Sequence, residues 1–97
     1  MPDRAISTPA AGFAGPVKRS VTIAGHQTSI SLEPVFWSAL EAAAGARTLP
    51  LNALVAQIDA LRIADHGKGR APPNLASALR TWLFAQRIDL AKEEEAP

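Results

Sequence analysis

The chain has 97 residues, enough for one small domain. It is 47% hydrophobic and 20% charged with a net charge of +1, a globular composition rather than a disordered one. Without cysteine it has no disulfide framework, thiolate metal site or cysteine nucleophile, and with two histidines it has no multi-histidine cluster. Twenty residues are alanine, which favours helices but buries little area per residue, so the composition points to a second copy or a partner chain to complete the core.

Residues 1–17 contain Pro2, Pro9, Pro16, Gly12 and Gly15 and keep no period of 2 or 3.6, which predicts a flexible arm. The arm lacks the apolar run of a secretory signal, and no stretch of the chain approaches a membrane span, so a cytoplasmic bacterial protein is expected. From Arg19 to Leu32 the pattern alternates. Val21 and Ile23 are offset from Ser20, Thr22 and Ala24, and Thr28, Ile30 and Leu32 from Gln27, Ser29 and Ser31. Period 2 with β-branched residues predicts two short strand pieces, with Gly25 as a turn or bulge between them. A short hairpin is not stable alone and needs helices or another chain on its apolar face.

Pro34 opens a helical stretch, since proline is tolerated where the N–H has no intrahelical acceptor. Phe36, Leu40 and Ala43/Ala44 form one face of it, with Trp37 beside that face and a break from Gly45 to Pro50. Leu51, Leu54, Val55, Ile58 and Leu61 predict a second helix over about 50–63. Residues 64–73 read as a loop, and Asn74 as the N-cap of a third helix. That helix shows one apolar face of Leu75, Ala78, Leu79, Trp82, Leu83 and Leu90 and a second of Phe84 and Ile88, so both faces are expected to meet protein. It should end near Leu90 or Ala91, because three glutamates at a helix C-terminus oppose the macrodipole. Residues 92–97 are then an acidic tail, and 18–91 the folded domain.

This order of elements carries a specific resemblance. The stretch Thr28-Ser-Ile-Ser-Leu-Glu-Pro-Val-Phe-Trp-Ser-Ala-Leu40 resembles the start of a ribbon-helix-helix domain, and Leu49-Pro-Leu-Asn-Ala-Leu-Val55 the start of its second helix. Lys18–Ser31 (KRSVTIAGHQTSIS) and Asn74–Ala85 (NLASALRTWLFA) resemble short bacterial proteins in which that domain carries an added C-terminal helix. The resemblance implies a mainly α fold with a short β ribbon. It also implies an intertwined homodimer in which one strand from each chain pairs over a shared core. Ile30, Leu32, Phe36, Leu40, Leu54, Val55 and Ile58 are the dimer-core residues it points to.

In DNA-binding members the ribbon lies in the major groove. By the family pattern Gln27, Ser29 and Ser31 would face base edges, where Gln matches adenine N6/N7 and Ser meets donors or acceptors. Leu51 and Asn52, at the N-terminus of the second helix, would hold a phosphate, with Lys18 and Arg19 on a neighbouring one. Two positions depart from the family pattern. Thr48 stands where glycine closes the first helix, leaving Gly45 as the other candidate for that turn. Pro50 stands where Ser or Thr caps the second helix, leaving Thr48 as a cap from upstream.

The resemblance thus implies a dimeric DNA-binding transcriptional regulator. The alternative is the same dimer as an antitoxin-like or adaptor module that docks a protein on helix 75–90. Each residue also has a plainer reading. Gln27, Ser29 and Ser31 can be a solvated strand face, Lys18-Arg19 a solvated pair and Asn52 a first-turn polar residue. His26 reads as a turn residue, and Trp37 and Trp82 as core or interface. Lys68 and Arg70 read as loop charges or a grip on the DNA backbone, and Glu93–Glu95 as a solubilising tail or a phosphate mimic. No nucleophile elbow or paired-carboxylate spacing occurs, so no enzyme activity, cofactor or metal is expected.

Overall fold

The computed structural model of the chain describes residues 5–66, 69 and 71–95, with the backbone alone for Glu95. Lys68 and Arg70 lie outside the described residues. Two strands, β1 (Val17–Ile23) and β2 (His26–Leu32), precede three helices, α1 (Pro34–Ala46), α2 (Leu51–Asp65) and α3 (Leu75–Glu95).

β1 and β2 pair antiparallel, from Val17 opposite Leu32 to Ile23 opposite His26. The two residues between them, Ala24 at φ 51° and Gly25 at φ 82°, both take positive φ. This is the requirement of a type I′ turn, whose twist matches that of the flanking strands, so Gly25 makes a turn and no bulge. The hairpin expected from the alternation thus forms within the chain, with β2 paired to β1 along its whole length.

Alternation then assigns the faces. Val17, Arg19, Val21 and Ile23 share the inner face with His26, Thr28, Ile30 and Leu32. Val21, Ile30 and Leu32 are buried there, in one core with Trp37, Leu40, Ala44, Leu54, Val55, Ile58 and Leu79. Six of the seven expected dimer-core residues thus close a core within one chain, and the seventh, Phe36, packs half-buried at its margin. Under the hairpin α2 lies against β1 and α3 against β2, while α1 packs on both helices.

Trp37 belongs to this core, as its reading as a core or interface residue expects. It is 4% exposed, and its indole N–H donates to the Val17 carbonyl at 2.9 Å. That bond satisfies the donor a buried Trp needs and ties α1 to the open end of the hairpin.

The break after α1 closes at Thr48, not at Gly45. Thr48 takes φ 55°, its N–H donates to Gly45 O, and the Leu49 N–H donates to Ala44 O. These two bonds are the Schellman closure, with Gly45 inside the helix as an acceptor. A β-branched residue in this left-handed conformation is strained. Thr48→Gly is therefore expected to stabilise the chain by about 1 kcal/mol, less than the full relief because glycine is freer when unfolded. A thermal melt should show a rise of roughly 5 °C.

Asn74 caps α3 as expected, its Oδ1 accepting from the Ser77 N–H at 2.7 Å. Leu79 is fully buried, and Leu75, Ala76, Trp82 and Leu83 pack around it. Two expectations for α3 fail for one reason. The helix runs on to Glu95, and Leu90 is 54% exposed rather than packed. With 21 residues, against 13 in α1 and 15 in α2, α3 outruns the body it packs on. In solvent the strong helix formers Ala91, Lys92 and Glu93–Glu95 outweigh the screened tenths of a kcal/mol lost to the macrodipole. The described part of the arm, 5–16, forms no strand or helix, only a turn closed by Gly12 N–H to Pro9 O.

Candidate nucleic-acid interface

The outer face of the hairpin carries Lys18, Ser20 and Thr22 from β1 and Ser31, Ser29 and Gln27 from β2, paired across the strands in that order. All six are exposed, and among the described residues none has a side-chain hydrogen bond or ion pair. The opposite face buries Val21, Ile30 and Leu32 and partly covers Ile23. The structure thus brings Gln27, Ser29, Ser31 and Lys18 together on one surface. The sequence reading missed Ser20 and Thr22. Their signal was the alternation of β1 itself, Lys18-Ser20-Thr22 offset from Val21 and Ile23.

Arg19 is elsewhere. One residue beyond Lys18, it points to the opposite face, as period 2 requires. Its guanidinium lies 4.6 Å from the Trp37 ring centroid and donates to Glu41 Oε1 at 2.9 Å. Arg47 and Arg80 follow the same pattern. Arg47 lies over Trp82 and bonds Gln86, and Arg80 lies over Phe36 and bonds Glu33. Arg62 pairs with Asp59 and donates to the Pro73 carbonyl, fastening the end of α2 to the approach to α3. A planar guanidinium suits this double role of stacking and bonding. Four of the arginines therefore serve the fold. Among the described residues Lys18, Arg87 and Lys92 are the cations without a hydrogen bond or ion pair.

Glu33 stands at the N-cap of α1 and receives Arg80 from α3 at 2.9 Å. Its own backbone amide and the Arg80 guanidinium hold its carboxyl below the ordinary 4.5, against a smaller opposing effect of burial. A carboxylate lowered in the folded state stabilises above its unfolded value and loses that stabilisation as pH falls through the folded one. Thermal melts across pH 6 to 3 should therefore show the wild type losing its advantage over Glu33→Gln only below about pH 4.5.

At the start of α2 Pro50 is the N-cap, in extended backbone and without a side-chain cap, so Thr48 does not cap from upstream. The Pro50 carbonyl accepts from the Ala53 and Leu54 N–H groups. The N–H groups of Leu51 and Asn52 precede the first intrahelical bond and have no acceptor in the helix. Leu51 packs its side chain against the core and offers only its backbone, whereas Asn52 is exposed and offers side chain and backbone together. Such a helix start attracts anions.

Apolar surface is left uncovered on the side of α1 and α3. Phe84 is 67% exposed and lines a groove with Ile88, Phe36 and Arg80, whereas Val35 lines another groove with Pro9 and Phe13 of the arm. Among the described residues no group of acidic, His or Cys side chains could hold a metal. None of the described helices is long and apolar enough to cross a membrane.

A two-stranded ribbon followed by two helices, with its polar face outward, defines a ribbon-helix-helix unit. The family model for the ribbon-helix-helix domain matches residues 16–87, and the chain belongs to that family. The fold of the family is a non-catalytic, DNA-binding one, found generally in transcription regulators and antitoxins. The match takes in both strands and most of α3, so the third helix belongs to the domain rather than following it. No curated protein and no solved structure matches the chain.

Proposed function

We propose that this protein is a bacterial, cytoplasmic transcription regulator that binds double-stranded DNA by laying its hairpin in the major groove. The observation that carries this reading is the outer face of the ribbon, exposed, polar and free of internal bonds, above a closed apolar core. Side chains held on a rigid ribbon and not engaged with each other are available to base edges. Gln27, Ser29 and Ser31 face the bases in this reading, while Lys18 and the start of α2, with Leu51 N–H and Asn52, hold phosphates. Arg19 has no part in it, because Glu41 and Trp37 hold it on the other side.

Two copies act together on a palindromic or repeated site, as family members typically do. The uncovered apolar surface of Phe84 and Ile88 favours a second copy. The same surface favours a second reading, in which α3 docks another protein in the manner of an antitoxin.

Titration of labelled genomic fragments at several salt concentrations tests the reading. With Lys18 and the start of α2 as the phosphate contacts, log K against log salt should fall at about −2 per copy, from about two phosphates each. Absence of binding to every fragment at low salt, by folded protein, would overturn the DNA reading and leave the protein-docking one.

A further inference from the structure

The outer face of the hairpin carries three side chains from each strand. Lys18 stands opposite Ser31, Ser20 opposite Ser29 and Thr22 opposite Gln27, all six exposed. Side chains directly opposite on an antiparallel pair have their Cβ atoms about 5 Å apart. A ligand that meets Gln27, Ser29 and Ser31 therefore lies within reach of β1 as well. The Ser20 and Thr22 hydroxyls make no hydrogen bond among the described residues, and nothing in the fold uses them.

The width of the groove decides what β1 meets. The major groove is about 12 Å wide, so its walls lie about 6 Å from its midline. Neighbouring strands lie about 4.8 Å apart. With β2 over the base edges at the midline, β1 runs along one wall, where the sugar-phosphate backbone faces it. The other edge of β2 has no strand on it among the described residues, and a groove lined by residues 28–31 and by Asn74, Leu75 and Ala76 leaves it open. A strand of a second copy added on that edge would move β1 further outward. Four strands set the outer two about 14 Å apart, wider than the groove and over its phosphates.

The chemistry of the two strands differs in the same sense. β2 holds Gln27, the one side chain of the face able to make a paired contact with a base edge. β1 holds an ammonium and two short hydroxyls, all donors, and neither strand carries an acidic residue to repel a phosphate. Lys18, Ser20 and Thr22 are alternate residues about 7 Å apart, so their row covers roughly 14 Å, enough to follow one DNA backbone past more than one phosphate.

We propose that β1 is a phosphate-gripping strand, in which Ser20 and Thr22 continue along the groove wall the contact that Lys18 begins, while β2 reads the bases. The proposal rests on the DNA-binding reading above. Phosphate contacts position a protein and carry no sequence information. Of the three, only Lys18 neutralises a charge, so only Lys18 adds to the salt dependence.

Thr22→Val and Ser20→Ala remove the hydroxyls with little change of shape. Each should weaken binding by roughly 10-fold, the loss of a hydrogen bond to a charged group. The loss should be equal on a duplex selected by the wild type from a randomised pool and on an unrelated one, with the selected sequence and the salt slope unchanged. Lys18→Ala should weaken both and lower the slope by about one, whereas Gln27→Ala should change the selected sequence. Duplexes with one phosphate at a time replaced by a neutral methylphosphonate give a second measurement on unaltered protein. Wild type should lose affinity at a phosphate bordering the groove, and Thr22→Val or Ser20→Ala should lose little more on that duplex. If Ser20→Ala or Thr22→Val alters the selected sequence, β1 reads bases and the proposal is overturned. It is equally overturned if both variants, folded by thermal melt, bind as the wild type does, or if the methylphosphonate losses add in full to theirs. In each of these cases the DNA function stands. If the wild type binds no duplex, the DNA function falls, and the role of β1 with it.

Discussion

Leu79→Ala is expected to lower the stability of the chain by about 3 kcal/mol, the cost of removing most of a buried Leu side chain and leaving part of the space empty. Among the described residues of α3 Leu79 is the one fully buried, and it meets the same core as Leu40, Leu54 and Val55. For a domain of this size that is a large share of a total of roughly 5–15 kcal/mol. The thermal midpoint should fall by roughly 12–20 °C. Phe84→Ala is the control on the same helix. With 67% of its surface exposed, Phe84 should change the stability of a single chain by less than about 0.5 kcal/mol. The pair therefore asks whether α3 is an integral wall of the fold or an appendage. If urea and thermal unfolding show Leu79→Ala to be as mild as Phe84→Ala, α3 does not seal the core, and the packing described for it is wrong. A Phe84→Ala variant that instead loses several degrees, with a midpoint that depends on protein concentration, would place a second copy on that surface.

The hydrophobic pattern made the elements legible but not the handover between them. Val21, Ile23, Ile30 and Leu32 alternate, and the structure buries them, fully or in part, on the face that period 2 requires. Asn74 has the short side chain of an N-cap and acts as one. What alternation also contained, and the reading passed over, was the split between Lys18 and Arg19. Adjacent basic residues look like one patch in a sequence, yet on a strand they serve opposite faces.

The closing of α1 was not legible from residue preference. Thr48 takes a conformation that glycine prefers, because the step from α1 to α2 fixes the chain direction there and the two Schellman bonds outweigh a local strain of up to about 2 kcal/mol. The end of α3 follows the helix propensity of Lys and Glu in solvent and not the dipole, which is the weaker of the two there. The turn between the strands was legible at Gly25, and positive φ at both Ala24 and Gly25 folds β1 back onto β2.

Asn52→Asp should move stability and DNA binding in opposite directions. Asn52 lies in the first turn of α2, after a proline cap that supplies no side-chain acceptor. A carboxylate placed there meets the positive end of the helix dipole and the unbonded amides, which should add about 0.5 kcal/mol and roughly 3 °C to the melt. The same carboxylate stands where a DNA phosphate is proposed to sit. Two like charges about 4 Å apart near a protein surface repel by about 1–4 kcal/mol. An intermediate loss of about 2 kcal/mol corresponds to roughly 30-fold weaker binding at low salt. A damaged fold cannot produce this result, since damage lowers both quantities. Asn52→Lys reverses the signs: it should melt slightly lower, bind more tightly, and steepen the salt dependence by about one phosphate per copy. Binding to DNA that is indifferent to both substitutions, measured on duplexes that the wild type recognises, would remove the start of α2 from the interface and leave the ribbon as the site of contact.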